Sequence, residues 1–290
     1  MSKGIFIIMT VLSAIWGIPV ACAAPPANLA IILGAAETAF PARIEAARTL
    51  GKTVSKEEIT ALYGFLDRKA GEDPAQPGEL CAIKNDVVNS LKMQQVMPPD
   101  LAGHLIAMYG DRSHEEAWRD YCVQHLGDIY TTVGDAGIRE KVLRVLWSAV
   151  DERQGSIPGT GLIALFNLCG QGSVDRARVA AKALSMVRSP AYGEPAKITA
   201  LQICADLGEQ SVLPDARKLA VNGSVPVRIS AMASLGALGD KSDEDLMRTT
   251  VTSTDIRLKT AARAAIKKIN AKIMQPKLLF LKLDARGNLE

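Results

Sequence analysis

The feature that most constrains this 290-residue chain is a helix template that recurs along it. Arg228 is followed by Ala231, Leu235 and Gly236. Arg43 leads in the same way to Ala46, Leu50 and Gly51, and Arg119 to Cys122, Leu126 and Gly127, always at offsets of three, seven and eight. Residues three and seven apart share one helical face, and a glycine just beyond them is suited to the left-handed conformation that closes a helix. Weaker versions start at Lys84 (Val87, Leu91), Lys197 (Ala200, Cys204) and Arg257 (Ala261, Ala264), without the glycine. A chain that repeats itself at such a period is a stack of small supersecondary units.

The anchors lie 29 to 41 residues apart, with two periods of 39 between Arg119 and Lys197, which leaves room for a second helix in each unit. The segments 56–69, 98–110, 138–150, 175–187 and 243–251 have the required pattern. Most open with acids or prolines, and Asp100, Ser173 and Ser242 are the expected caps. The expected fold is therefore all-α, an α-α superhelix (solenoid) of six or seven stacked helical hairpins, each burying its apolar face on the next. Aromatic residues are 4% of the chain against 48% for all hydrophobic types, so the interior must be built from Ala, Leu, Ile, Val and Met, which let helices approach closely. The stretch AGEDPAQPGE (70–79) reads as an exposed excursion and ERQGSIPGTG (152–161) as an irregular loop. The array is expected to span 24–275, with 276–290 a C-terminal cap or tail.

Residues 1–23 are expected to be a signal peptide. Lys3 precedes the uncharged run GIFIIMTVLSAIWGIPV, and Ala21-Cys22-Ala23 is a small-x-small cleavage site. Gly17 and Pro19 interrupt the run, which is barely long enough for a membrane anchor. A lipoprotein modified on Cys22 is the other alternative, against which Pro19 stands where an aliphatic residue is wanted. Cleavage after Ala23 predicts a periplasmic or secreted protein with no membrane span. The formal charge of +3 falls to +2 without Lys3, so bulk electrostatics imply no nucleic acid partner.

The basic, small, Leu-Gly helix followed by a shorter one resembles HEAT repeats, particularly the short HEAT-like repeats of phycobilisome lyases, over residues 40–270. The resemblance implies an armadillo-like helical scaffold and leaves the activity open, because such repeats serve unrelated partners. One HEAT-like enzyme, deoxyhypusine hydroxylase, holds two irons with several His-Glu pairs. Here His114-Glu115 is the single such pair and the chain has three histidines.

No Gly-x-Ser-x-Gly elbow, phosphate-binding Gly-x-x-x-x-Gly-Lys-Ser/Thr, HExxH or CxxCH is present. The expected function is a non-enzymatic scaffold, without cofactor or metal, that binds a protein or peptide in the cell envelope. In a stack whose second helices line the concave face, Tyr63, Arg68, Met108, Tyr109, Arg144 and Trp147 are the candidate binding residues, since aromatic and arginine side chains dominate interface energetics. The same aromatics also suit a core, and Glu140 is placed to pair with Arg144. The alternative is a metal-dependent or accessory enzyme using Cys122 and His125, which share a helix face at i, i+3. Against it, Cys122 sits in the small-residue slot of the template. Among Cys81, Cys122, Cys169 and Cys204, the similar register of the last two favours a Cys169–Cys204 disulfide, with four free thiols the alternative.

Overall fold

A computed structural model of the protein describes residues 26–34, 38–153 and 155–280. Residues 1–23, expected to be a signal peptide, and the last ten residues lie outside the described residues. The described chain forms fourteen α-helices in sequence-adjacent pairs. They are α1 (Pro26–Ile32), α2 (Phe40–Arg48), α3 (Lys56–Leu66), α4 (Pro77–Lys92), α5 (Leu101–Gly110), α6 (Glu116–Ile129), α7 (Ala136–Ala149), α8 (Ile157–Gly170), α9 (Arg176–Arg188), α10 (Glu194–Asp206), α11 (Leu213–Asn222), α12 (Val225–Leu238), α13 (Lys241–Val251) and α14 (Ile256–Phe280). The all-α solenoid of helical hairpins is the fold observed.

Local chemistry sets the helix starts. Ser55 and Glu58 form a reciprocal capping box on α3, and Asp135 and Asp175 accept from the backbone N–H of Ile138 and Arg178 at 2.8 and 3.0 Å. Prolines occupy the first turn of α2, α4, α8, α10, α11 and α12, where the missing N–H costs nothing. Two of the expected caps are displaced by two residues, from Ser173 to Asp175 and from Ser242 to Asp240. Asp100 precedes α5 without capping it and accepts instead from the Tyr63 hydroxyl at 2.8 Å.

The anchor helices α2, α4, α6, α8, α10, α12 and α14 form one row, each packed on the next. Ser230 Oγ donates to Ile198 O and Ser234 Oγ to Leu201 O, so partners advance together and α10 and α12 run parallel. Two of the three template glycines make this row tight. A Cβ on Gly127 would lie 2.7 Å from Ala164 Cβ, and one on Gly236 2.9 Å from Ala265 Cα. Neither glycine closes a helix: α6 and α12 run past them, and left-handed glycines stand instead two residues past the ends of α1, α8 and α10, at Gly34 (φ 73°), Gly172 (φ 74°) and Gly208 (φ 70°). At Gly127 and Gly236 the expected terminator is thus a close-approach residue, whereas Gly51 lies past the end of α2.

Two loops differ from expectation. The second half of the 152–161 stretch is helix, because α8 begins at Ile157 and buries Pro158, Gly159 and Gly161 against its neighbours. The 70–79 excursion has a buried centre at Asp73, and α4 starts within it at Pro77. At the far end α14 continues through Pro276 to Phe280, so the helix crosses the expected boundary at 275. No described helix is long and apolar enough to cross a membrane.

Candidate binding face

The basic anchors are structural, and their shared task explains their position. Three reach the last carbonyls of the helix before their own, and Lys84 reaches one two residues past the end of α3. Arg43 Nε and Nη2 donate to Ile32 O at 3.1 and 2.8 Å, Arg119 Nε to Tyr109 O at 2.8 Å, Arg228 Nε to Ala220 O at 2.9 Å, and Lys84 Nζ to Arg68 O. Helix C-termini carry unpaired carbonyls and partial negative charge, which a cation satisfies. Two anchors also bind acids, one buried and one half-buried. Arg43 meets Asp73 through paired contacts of 2.5 and 2.8 Å, and Arg119 meets Glu152 at 2.6 Å. Burial alone would raise the Asp73 carboxyl, but hydrogen bonds from Arg43, the Ala75 N–H and Arg68 outweigh it and hold the group at about 2.

The six residues expected to form a concave strip are mostly engaged elsewhere. Tyr63, Met108 and Tyr109 are core residues. Tyr63 stacks on His104 with ring centroids 3.8 Å apart, and the Tyr109 hydroxyl donates to Glu152 at 2.8 Å. Arg68 donates to Leu33 O and Asp73 at 2.7 and 2.9 Å, Arg144 pairs with Glu140 one turn away, and Trp147 lies half-buried under Arg178 at 3.9 Å. Apart from Arg144, whose partner is on its own helix, these side chains knit hairpins together. The face assignment changes as well: in the row of α3, α5, α7, α9, α11 and α13, only α5 and α7 make a substantial contact with each other. A two-row stack bends toward its tighter row, so the anchor helices line the inner curve.

That inner face carries three clefts in succession. One of about 480 Å³ is lined by Ile44, Glu45 and Arg48 of α2, Asn85 and Asp86 of α4, and Tyr121 of α6. A second, about 340 Å³, lies at the C-terminal ends of α2 and α4 beside Asn89 and Gln94. The third, about 470 Å³, runs between α6 and α8 along Gln124, Asp128, Thr160, Ile163, Asn167 and Gln171. Ile163 is 47% exposed at its centre. Ion pairs brace the floor from helix to helix: Arg48 to Asp86 at 2.8 Å and Lys92 to Asp128 at 2.7 Å. The sequence held a signal for this row, since Ile44, Asn85 and Asp120 follow their anchors by one and Arg48, Asn89 and Gln124 by five, which places them on the face next to the buried one.

The metal alternative through Cys122 and His125 meets a thiol held in its protonated state and an imidazole whose Nδ1 already faces an ammonium. Cys122 is fully buried, which drives its thiol far above the ordinary range. His125 is likewise enclosed. Burial first, then the Lys92 ammonium 3.2 Å from Nδ1, pushes its imidazole down to about 3. The one described trio with metal-ligand geometry is Asp67, Asp111 and His114, whose ligand atoms lie within 4.8 Å of one another. Lys69 Nζ already sits 3.2 Å from Asp111 Oδ2 and 3.6 Å from Asp67 Oδ1, and His114 Nε2 is 3.1 Å from Asp67. The trio is a braced ion-pair network joining the end of α3 to the α5–α6 turn.

The four described cysteines are free thiols, so the Cys169–Cys204 bridge is not formed. Gly159 of α8 faces Thr199 of α10, a register of 40 residues, whereas the cysteines are 35 apart. The five-residue offset separates them by about 7.5 Å along parallel helices, more than a disulfide spans without backbone movement.

No family model matches the chain, and no curated protein matches it. Two solved structures are similar in shape. One is an engineered protein from a structural genomics consortium, 12% identical, with 85% of this chain and 98% of that chain covered and a TM-score of 0.43. The other is a designed armadillo repeat protein, 12% identical, with 84% and 99% covered and a TM-score of 0.39. Both scores are below 0.5, and the helical-repeat fold stands on the packing of the chain's own helices.

Proposed function

We propose that this chain is a non-enzymatic scaffold that holds an extended polypeptide along the inner face from α2 to α8. The observation that carries the reading is the run of three clefts on one face, lined by the amides of Asn85, Asn89, Gln124, Asn167 and Gln171. A primary amide both donates and accepts, as a peptide bond does, and can satisfy a backbone without regard to its sequence. Ile44 and the exposed Ile163 add apolar contacts between the amides. The HEAT-like assignment of the repeats rests on the template. A place in the cell envelope rests on the N-terminal sequence, with lipidation on Cys22 the alternative to cleavage after Ala23.

The test is selection of a random-peptide phage library on the purified protein, repeated with the double variant Gln124→Arg, Asn167→Arg. Both positions are exposed, so the fold should tolerate the change while long side chains fill the α6–α8 cleft. Enriched peptides are expected to cross-link to α6 and α8 and to bind the variant at least about tenfold more weakly, the loss of ~1.4 kcal/mol. Peptides that bind both proteins equally, or cross-link to the α3–α5–α7 row, refute the reading.

A further inference from the structure

The last helix carries a charge distribution unlike the rest of the chain. Of the 34 basic and 31 acidic side chains in the protein, eight basic and no acidic ones fall within residues 256–283, so the remainder is net acidic by five. Such asymmetry marks a surface for anions even when the total charge is near zero. The helix backbone concentrates it on one side. Leu258, Ala262, Ala265 and Ile269 are buried against α12 and α13, while Ile256, Thr260, Arg263, Ala264, Lys267, Lys268 and Ala271 are exposed.

These outward cations are not consumed by the fold. Arg263, Lys267 and Lys268 make no ion pair with a described residue, and neither does the half-buried Lys259 beside them. The nearby acids are already matched: Asp255 with Arg257 at 2.8 Å, Asp243 with Arg217 at 2.6 Å, and Glu244 with Lys241 and Arg248. Lys272 is turned inward and donates to Ala237 O and Gly239 O at 2.9 and 2.6 Å. An ordinary solvated cap would mix both signs of charge.

The geometry points to the outer face of α14 as a docking surface for anionic phospholipid headgroups, with the solenoid lying end-on to a membrane. Short Thr and Ala side chains stand between the cations, which suits a plane of headgroups better than a peptide. Ile256, 67% exposed, adds an aliphatic group that a lipid interface accepts. Residues 256–273 hold no aromatic side chain on which a nucleic-acid base could stack. This surface is separate from the inner-face clefts, and neither reading depends on the other.

The test titrates the full chain with vesicles of phosphatidylcholine, with and without phosphatidylglycerol, at low salt. Binding to phosphatidylcholine alone reports any contribution of the apolar N-terminal run, so the ratio of the two apparent Kd values isolates the charge effect. Each cation near an anionic surface contributes about fivefold, so the anionic vesicles should be preferred on the order of 100-fold. Raised salt should erase the preference. The triple variant R263E/K267E/K268E should abolish it with unchanged far-ultraviolet circular dichroism, whereas Lys141→Glu with Arg144→Glu on α7 should leave it intact. Equal affinity for the two vesicles, or a preference that survives the triple variant, overturns the inference. So does a short DNA duplex that binds as tightly as the anionic vesicles and is lost in the same variant, because the face would then serve nucleic acid.

Discussion

Replacing Gly236 with alanine is the sharpest test of how the anchor row is held together. In a helix interior the substitution should be favourable, since alanine exceeds glycine by about 1 kcal/mol in helix propensity. Here the new Cβ would stand 2.9 Å from Ala265 Cα and 3.2 Å from Ala265 Cβ. Neither atom can rotate away, so α12 and α14 must part by several tenths of an ångström. Overpacking of this kind costs about 1–3 kcal/mol, which meets or exceeds the propensity gain. Gly64 supplies the control: it is exposed in α3 and nothing lies within 4 Å of its added Cβ. Gly64→Ala should therefore stabilise by about 0.5–1 kcal/mol, and Gly236→Ala should fall ~1–3 kcal/mol below it. For a chain of this size each kcal/mol moves the midpoint by roughly 2–4 °C, within reach of thermal unfolding followed by circular dichroism. Because solenoid stability is a sum over neighbouring units, hydrogen exchange should speed up first in α12–α14. If Gly236→Ala melts level with or above Gly64→Ala, the glycine is not a packing residue and the close contact carries no energy.

Three further outcomes follow from the buried polar groups. Asp73→Ala leaves Arg43, 1% exposed, without its counterion and should cost about 3–5 kcal/mol in chemical denaturation. Arg68→Ala removes a 30% exposed partner of the same carboxylate and should cost about 1 kcal/mol or less. Equal costs would show that the pair is not the element tying α2 to the 70–76 loop. The Asp73 carboxyl lies below its unfolded range, so its contribution is present above a pH of about 4 and is lost as pH falls toward 2. His125 is held neutral with a folded value of about 3. The unfolded chain therefore binds the extra proton as pH falls below about 6.5, and stability drops by up to about 1.4 kcal/mol per pH unit between there and about 3. The buried His114, also depressed by burial, adds to the same slope. His125→Gln should flatten that slope in denaturant titrations from pH 6 to 4, and an unchanged slope would place the proton uptake elsewhere. Among the thiols, half-buried Cys169 should react with a disulfide reagent in the native state, and Cys81, Cys122 and Cys204 only after unfolding. Fewer than four thiols among these positions in denaturant would revive the bridge between Cys169 and Cys204.

The repeat unit was legible because its determinants are local. A helical face needs side chains three and seven apart, and a fixed spacing of that face along the chain can only be buried by stacking, so hairpins and solenoid follow without knowledge of any contact. The second helices at 56–69, 98–110, 138–150, 175–187 and 243–251 were found for the same reason, with ends shifted by the caps. What the pattern does not hold is which row of helices packs tighter. That depends on distances between units, set by Gly127 against Ala164 and Gly236 against Ala265, and these turned the inner curve toward the anchor helices and moved the candidate face from Tyr63, Tyr109 and Trp147 to Asn85, Gln124 and Asn167. An aromatic or arginine is equally fit for a core, a brace or an interface. Asp100 claims Tyr63, Glu152 claims Tyr109 and Asp73 claims Arg68 across 37, 43 and 5 residues of chain. Side-chain chemistry states what a residue can bind, and the register between separate helices selects which partner stands within reach.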